Sequence, residues 1–326
     1  MDPVLSIQDL QVWYRIYGGY LKVVNRISLE VGLGEKIGLV GETGCGKTTT
    51  MKAVMRLLPV QSKVPSGCIS FERKDILRMK EAEVQKFRRQ GIAMIFQDPT
   101  AALNPVFTIG AQIEDVIRCS GSVKGKDAIH KAAVSVLENV ALPDPERILG
   151  NYPFQLSGGM RQRICIALAI SAARRLLIAD EPTTSLDVTI QAQILNLIRK
   201  IVTERGTSLI LITHSLGVAR EMTDRIYVMY AGTIVETART PQLYATPLHP
   251  YSVGLFRSVP RLSGGGFADG IPGRIPDYLK PPGGCRFQPR CPQAMPICEA
   301  EIPGLFPAEE GHSVACFLYR PDGGRQ

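Results

Sequence analysis

The chain has 326 residues, enough for one large domain or two modest ones, each with its own core. Its 45% hydrophobic and 21% charged residues and mean hydropathy of +0.05 exclude a disulfide-stapled miniature scaffold and a disordered chain. The 38 Lys and Arg against 30 Asp and Glu leave a charge of +8, which suits nucleic acid, anionic lipid or a polyphosphate ligand. Apart from short pairs such as Arg88-Arg89 the basic residues are dispersed, which argues against a nucleic-acid partner. The most apolar run, Ile164 to Ala179, is split by Arg174 and Arg175, so no stretch reaches the roughly 18 apolar residues of a spanning helix. Met1-Asp2-Pro3 lacks the basic start, apolar stretch and cleavage site of a secretory signal, and a cytosolic address is expected.

Up to about residue 240, short apolar runs alternate with helical patterns, the signature of a mostly parallel sheet flanked by helices. The first strand, Lys36 to Val40, runs into Gly41-Glu42-Thr43-Gly44-Cys45-Gly46-Lys47-Thr48 and then a helix to Leu58. Strand, glycine-rich turn and helix with Lys-Thr at its start is the context of a phosphate-binding loop. The glycines let backbone N–H groups face an anion, Lys47 reaches the terminal phosphates, and Thr48 offers a hydroxyl to Mg²⁺. The next strand is Ile92 to Phe96. Helices at Ala111 to Arg118 and Lys126 to Val140 follow with no strand between them, which predicts a helical insertion.

Leu156-Ser157-Gly158-Gly159-Met160 opens another helix, Met160 to Ala173, with Ser157 as N-cap and two glycines exposing donors. One nucleotide does not need two such sites from one chain, which points to a nucleotide held by another subunit. The strand Leu176 to Ala179 ends in Asp180-Glu181. After a phosphate loop these carboxylates are expected to divide the work, Asp180 holding Mg²⁺ and Glu181 deprotonating the attacking water. A helix over Ile190 to Arg205 and strands over Ser208 to Thr213 and Arg225 to Tyr230 complete the pattern. Beyond residue 240 the composition shifts. Fourteen of the 23 prolines fall in the last 86 residues, with Gly264-Gly265-Gly266 and Gly283-Gly284, which reads as a separate loop-rich tail.

Four of the eight cysteines, Cys285, Cys291, Cys298 and Cys316, crowd into 32 residues of that tail. Disulfides are disfavoured in reducing cytosol, and the tail has little apolar content, so a metal could supply folding free energy. Zinc and an iron–sulfur cluster both suit four thiolates. No Cys-x-x-Cys pair is present, against an ordinary zinc ribbon, and Cys291-Pro292 matches the Cys-Pro ending of ferredoxin motifs. Plain reduced thiols are the third possibility. Cys45, inside the loop, reads as a residue that thiol reagents could block rather than a catalyst.

Taken together, the phosphate loop, Leu-Ser-Gly-Gly-Met and Asp180-Glu181 resemble the ABC-type ATPases. The resemblance implies a P-loop NTPase fold of the α/β class over residues 1–240, with a RecA-like core and a helical subdomain over about 98–160. It makes Gln97 the γ-phosphate sensor that touches transmembrane subunits, Ser185-Leu186-Asp187 the D-loop, and His214 the switch histidine on the γ-phosphate. Ser215 stands where the family usually has Asp. Tyr14 is implied as the aromatic on adenine, with Tyr17 and Tyr20 as alternatives. ATP would contact Gly41 to Thr49, including Glu42, Thr43, Gly44, Cys45, Gly46 and Thr49, and Mg²⁺ would contact Thr48, Gln97 and Asp180. Ser157, Gly158 and Gly159 would act on the ATP of a partner cassette.

Asp98-Pro-Thr-Ala-Ala-Leu-Asn-Pro105, Met160-Arg-Gln-Arg163 and His249-Pro250-Tyr251 resemble the oligopeptide, dipeptide and nickel importer branch, along essentially the whole chain. That resemblance implies a peripheral subunit on the cytoplasmic face of the cell membrane. Its partners would be two permeases, a second, non-identical ATPase and an external substrate-binding protein. For residues 241–326 it implies a Pro- and Cys-rich metal-binding extension with a four-iron four-sulfur cluster on the four cysteines, zinc being the alternative. The rival readings are a soluble ABC-type ATPase of DNA repair or translation, which the single cassette disfavours, and a P-loop kinase, which leaves Leu-Ser-Gly-Gly and His214 unexplained.

Overall fold

The computed structural model describes residues 2–121, 123–171, 174–184, 186–258 and 270–321; Gly264-Gly265-Gly266, Ser185 and the predicted helix end at Ala173 lie outside them. The chain divides into two compact units. The first comprises Met1–Val31, Lys36–Arg78 and Leu211–Gln326, the second Gly32–Glu35 and Met79–Ile210.

In the first unit Leu5–Ile16 and Gly19–Val31 form an antiparallel hairpin, Leu5 opposite Val31 and Ile16 opposite Gly19. Tyr17-Gly18 is the turn, with Gly18 at φ 90°, a conformation side chains other than glycine's resist. Leu10, Val12, Val24, Ile27 and Val31 are buried. Register shifts between Ile7 and Leu10, Leu10 and Val12, and Val12 and Trp13 interrupt the alternation, so this hairpin does not announce itself by period. Cys68–Phe71 pairs along Leu5 to Gln8.

Elsewhere in the unit Lys36–Val40 lies parallel to Arg225–Tyr230, which runs antiparallel to Thr233–Arg239. Thr233–Arg239 pairs in turn with His312–Val314 from the tail, and His312–Val314 with Phe306–Glu309. The tail is thus built into the first unit. The reason is packing: Tyr251 and Phe287 from the tail bury against Tyr230, with ring centroids 4.6 Å and 5.0 Å from it. The Tyr230–Phe287 pair is edge-on and the Tyr230–Tyr251 pair tilted, arrangements in which aromatic rings contribute more than their area alone.

The helix after the phosphate loop runs Lys47–Val54, shorter than the expected end at Leu58. Arg56 adopts φ 52°, the Arg56 N–H donates to the Ala53 carbonyl at 3.0 Å, and the Leu57 N–H to the Lys52 carbonyl at 2.8 Å. This pair of bonds is a Schellman ending, and it closes the helix before Pro59.

In the second unit Ile92–Ile95 lies parallel to Leu176–Asp180, and every residue of both strands is buried. Burial on both faces explains their unbroken apolar runs. Between them the described residues form the helices Pro99–Ala102, Ile109–Ser120, Lys126–Asn139, Pro145–Gly150 and Gly158–Ile170, with no strand. Ile109–Ser120 begins where Thr108 Oγ1 accepts the Ala111 N–H and ends at Gly121, φ 71°. His130 lies 3.0 Å from both Glu114 and Glu146, linking three of these helices, and hydrogen bonds to those carboxylates raise its pKa. Among the described residues no helix is long and apolar enough to cross a membrane.

A buried carboxylate fastens the tail. Glu236 is fully buried; Oε1 accepts the Leu248 N–H at 2.7 Å and lies 2.7 Å from His312 Nε2, and Oε2 accepts the His249 N–H at 2.9 Å. His249 Nδ1 accepts the Tyr251 N–H at 3.0 Å and so caps the helix Pro250–Arg257. Burial depresses the His249 imidazole to about 4, against the pull of Glu236. A histidine depressed below its ordinary 6.5 takes up a proton on unfolding, so its contribution to stability is complete above that pH and lost as pH falls toward 4. Melting temperatures of the full chain are therefore expected to fall through this window. His249→Asn, which retains a capping oxygen without a titrating ring, should flatten the slope; an unaltered slope would assign it to other groups.

Candidate active site

The first unit carries the phosphate loop. The strand Lys36–Val40 delivers Gly41 at φ 152°, Gly44 at 81° and Gly46 at 105°, all in the region glycine alone enters freely. A Cβ on Gly41 would lie 2.0 Å from the Met229 carbonyl oxygen, and one on Gly46 2.8 Å from the Met229 methyl and 3.1 Å from the Val23 carbonyl oxygen. Lys47, 5% exposed, crosses the loop and donates to the Gly41 and Glu42 carbonyls at 2.7 and 3.0 Å, with Cys45 Sγ at 3.7 Å. Its ammonium is thus centred among the backbone groups expected to cradle phosphate, at the N-terminus of Lys47–Val54. Burial raises the pKa of Cys45, which favours the neutral thiol and is consistent with a packing role.

The Tyr14 hydroxyl donates to Thr49 Oγ1 at 3.2 Å, beside the loop's helix, whereas Tyr17 is fully exposed at the hairpin turn and Tyr20 lies under the Lys63 ammonium. Of the three, Tyr14 is the one whose hydroxyl contacts the helix that follows the loop. His214, exposed at the end of Ser208–Thr213, is in the first unit too. The next residue, Ser215, accepts the Val218 N–H at 3.4 Å and caps the helix Leu216–Met222, a task its hydroxyl performs in place of a carboxylate.

The second unit carries the acidic and signature elements. Asp180 is buried at the end of Leu176–Asp180. Next to it, Glu181 Oε2 accepts hydrogen bonds from Gln97 Nε2 at 3.0 Å and from Thr184 Oγ1 at 3.0 Å. Two residues 84 positions apart thus meet, and two donors on one oxygen hold the carboxylate in one orientation. Thr184 has no periodicity or motif signal of its own; its position three residues after Glu181 is the only clue. Ser157 Oγ accepts the Met160 N–H at 3.3 Å at the start of Gly158–Ile170, and Asp187 Oδ1 accepts the Ile190 N–H at 3.0 Å at the start of Val188–Arg205. Both therefore cap helices, with Gly158 and Gly159 opening the first.

The tail cysteines behave differently from expectation. They are close enough that the charges of Cys285, Cys291 and Cys298 bear on Cys316, but burial is the largest influence and raises Cys285 and Cys316 to about 11. Among the described residues no group of three or more His, Cys, Asp or Glu side chains is arranged to hold a metal ion. The expected metal-binding character of the tail, as iron–sulfur or zinc, is thus unsupported by this arrangement.

Three tail residues reach the phosphate loop instead. The Glu42 N–H donates to the Tyr251 hydroxyl at 2.9 Å, the Tyr278 hydroxyl donates to the Gly44 carbonyl at 2.9 Å, and Arg290 pairs with the Glu42 carboxylate. Tyr251 belongs to the noted His-Pro-Tyr run, but nothing in the spacing of Tyr278 or Arg290 signals their contact with a loop more than 200 residues earlier.

A phosphate loop turned by three positive-φ glycines with a buried lysine, and a strand ending in two carboxylates, define a P-loop ATPase, and Leu-Ser-Gly-Gly at a helix start defines its cassette type. The ABC transporter family profile matches residues 24–184, and the profile for the oligopeptide/dipeptide transporter C-terminal region matches 235–298. The chain is 45% identical to the dipeptide transport ATP-binding protein DppD of Bacillus subtilis, over 98% of this chain and 95% of that protein. It is 42% identical to the oligopeptide transport ATP-binding protein AppD of the same organism, over the full length of both. The dimeric bacterial ABC transporter cassette MJ0796 superposes with a TM-score of 0.65 at 25% identity, over 72% of this chain and 98% of that one. The chain belongs to the ABC transporter ATP-binding family and has its P-loop ATPase fold.

The contact on Glu181 yields a sharp expectation. Glu181→Gln should bind ATP with little change and hydrolyse it about 10²-fold or more slowly, the range for losing a general base. Nucleotide binding and phosphate release measured on the same preparation check this; wild-type turnover would move the base elsewhere.

Proposed function

We propose that this chain is the energy-coupling subunit of an importer for short peptides, dipeptides or oligopeptides, with a related solute such as nickel as the alternative. The observation that carries this reading is the joining, in one chain, of an ABC cassette to a tail matched by the oligopeptide/dipeptide transporter profile. The subunit would lie peripherally on the cytoplasmic face of the membrane. Its partners would be two permeases, a second and non-identical ATPase, and an external substrate-binding protein.

In this reading Gly41 to Thr49 hold the phosphates of ATP, with Lys47 on the β and γ groups and Tyr14 against adenine. Thr48 and Asp180, assisted by Gln97, would hold Mg²⁺, which supplies charge neutralisation on the phosphates. Glu181 takes a proton from water as the water oxygen bonds to the γ-phosphorus, and the bond to the β-bridging oxygen breaks, leaving ADP. Gln97 serves here by orienting Glu181 through its hydrogen bond, and His214 by contacting the γ-phosphate. Ser157, Gly158, Gly159 and Asp187 would serve the ATP of the partner cassette. Closure on ATP and release on hydrolysis bias the permeases between two states, a population shift driven by differential affinity.

The cysteine tail fits a metal less well. The support for a four-iron four-sulfur cluster, with zinc second, is the placement of Cys285, Cys291, Cys298 and Cys316 within 32 residues, the Cys285 N–H donating to the Cys298 carbonyl at 2.8 Å and Cys285 and Cys291 packing against one core cluster. Iron, sulfide and zinc assays on anaerobically purified protein decide it. About four irons and four sulfides per chain are expected for the cluster, and no metal at stoichiometric level would leave four reduced thiols.

Affinity purification of the tagged chain from detergent-solubilised membranes should recover two hydrophobic permeases and a second ATPase. Recovery only from the soluble fraction, with nucleic acid or ribosomes and no permease, would overturn the importer assignment.

A further inference from the structure

Glu42 places a carboxylate inside a loop whose purpose is to hold a polyphosphate. Uncompensated, a negative charge there opposes every charge of the ligand. In the first unit that carboxylate is met by Arg290, whose Nη1 donates to Glu42 Oε2 at 3.0 Å and Nη2 to Oε1 at 3.3 Å, a two-pronged pairing. Arg290 is itself held from three further sides. Nε donates to the Pro272 carbonyl at 2.9 Å, Nη2 to the Ile271 carbonyl at 2.8 Å, and the guanidinium lies over the Tyr230 ring at 5.6 Å. The arginine side chain is 5% exposed and the glutamate 26%, so solvent screens this pair less than a surface ion pair.

The neighbouring contacts act on the same few atoms. The Tyr251 hydroxyl takes the Glu42 N–H, and the Tyr278 hydroxyl holds the Gly44 carbonyl. We infer that Arg290 is a positioning residue of the phosphate loop: by neutralising and orienting Glu42 from the tail it makes the loop an anion site, and thereby tunes affinity for ATP over ADP. ATP, with one more charge than ADP, gains more from this neutralisation. A role confined to folding would affect both nucleotides alike. The inference rests on Gly41 to Thr48 being the site of ATP binding.

The test is equilibrium binding of ATP and ADP, each with Mg²⁺, to the full chain. Arg290→Met is expected to raise the Kd for ATP about tenfold and that for ADP by less, because the half-buried carboxylate is left unpaired. Adding Glu42→Gln to Arg290→Met removes the offending charge and should return the Kd for ATP to within about threefold of wild type. Wild-type affinity in Arg290→Met, equal losses for the two nucleotides, or a double variant as weak as the single one would each overturn the inference. Should Arg290→Met not fold, Glu42→Gln alone still decides: with Arg290 no longer cancelled it should bind ATP more tightly, and weaker or unchanged binding refutes the proposal. Lys47→Ala is the separate control. If it binds ATP like wild type, the loop assignment itself fails, whatever Arg290 does.

Discussion

The constraint on which the rest of the site depends is the path of the backbone from Gly41 to Lys47. At Gly41 the chain passes so close to the Met229 carbonyl that a single added carbon would sit 2.0 Å from it, and at Gly46 the left-handed turn is pressed against Val23 and Met229. The loop is therefore shaped by its neighbours as much as by its own composition. The strand Arg225–Tyr230 lies parallel to Lys36–Val40 and brings Met229 to the turn, and the Gly232 N–H donates to the Cys45 carbonyl at 2.8 Å. Lys47 can then cross to the carbonyls of Gly41 and Glu42, so an ammonium that desolvation would penalise keeps polar partners while remaining central.

The same reasoning accounts for the tail. Its sequence, rich in proline and poor in apolar residues, suggests a segment unable to bury enough surface by itself, and a metal is one remedy for that. The structure supplies another. Tyr251 and Phe287 enter the core of the first unit against Tyr230, His312–Val314 joins Thr233–Arg239, and Glu236 is satisfied by the Leu248 and His249 amides and by His312. A buried carboxylate with such partners is tolerable, and removing any one of them is expensive because it leaves the charge uncompensated. The tail thus has a source of folding free energy other than a metal, which removes the premise of the metal argument without touching the cysteines' proximity.

How much was legible in the sequence follows from which interactions are local. The parallel strands around Lys36–Val40, Ile92–Ile95 and Leu176–Asp180 are buried on both faces, so each stands out as a continuous apolar run, and their limits agree with the structure to one residue. Phe96 drops from its strand because the backbone leaves the sheet there and the ring is exposed. The N-terminal hairpin was hidden because three irregularities in register break its two-residue period. Helix ends depended on single bonds: Arg56 in a left-handed conformation stops the first helix early, and no composition rule marks an arginine for that role. At the site, motif spacing indicated Lys47, Asp180 and Glu181, but not Thr184, Tyr278 or Arg290. Their contacts depend on the tertiary path, or on a side-chain rotamer, and neither leaves a periodic trace.

Glu181 shows most directly how function overrides local preference. Its φ of 45° lies in the left-handed region, where a glycine would sit without penalty and a glutamate costs on the order of 1 kcal/mol. The strand before it is wholly buried and ends at Asp180, so the turn must begin at this residue, and its conformation is imposed by the sheet. A glycine there would relieve the backbone but remove the carboxylate on which Gln97 and Thr184 converge. Those two bonds in turn restrain the side chain in the conformation the strained backbone presents. The strain and the hydrogen bonds are therefore parts of one arrangement, in which an unfavourable backbone angle carries a carboxylate to the end of the strand and two neutral donors hold it at a fixed orientation.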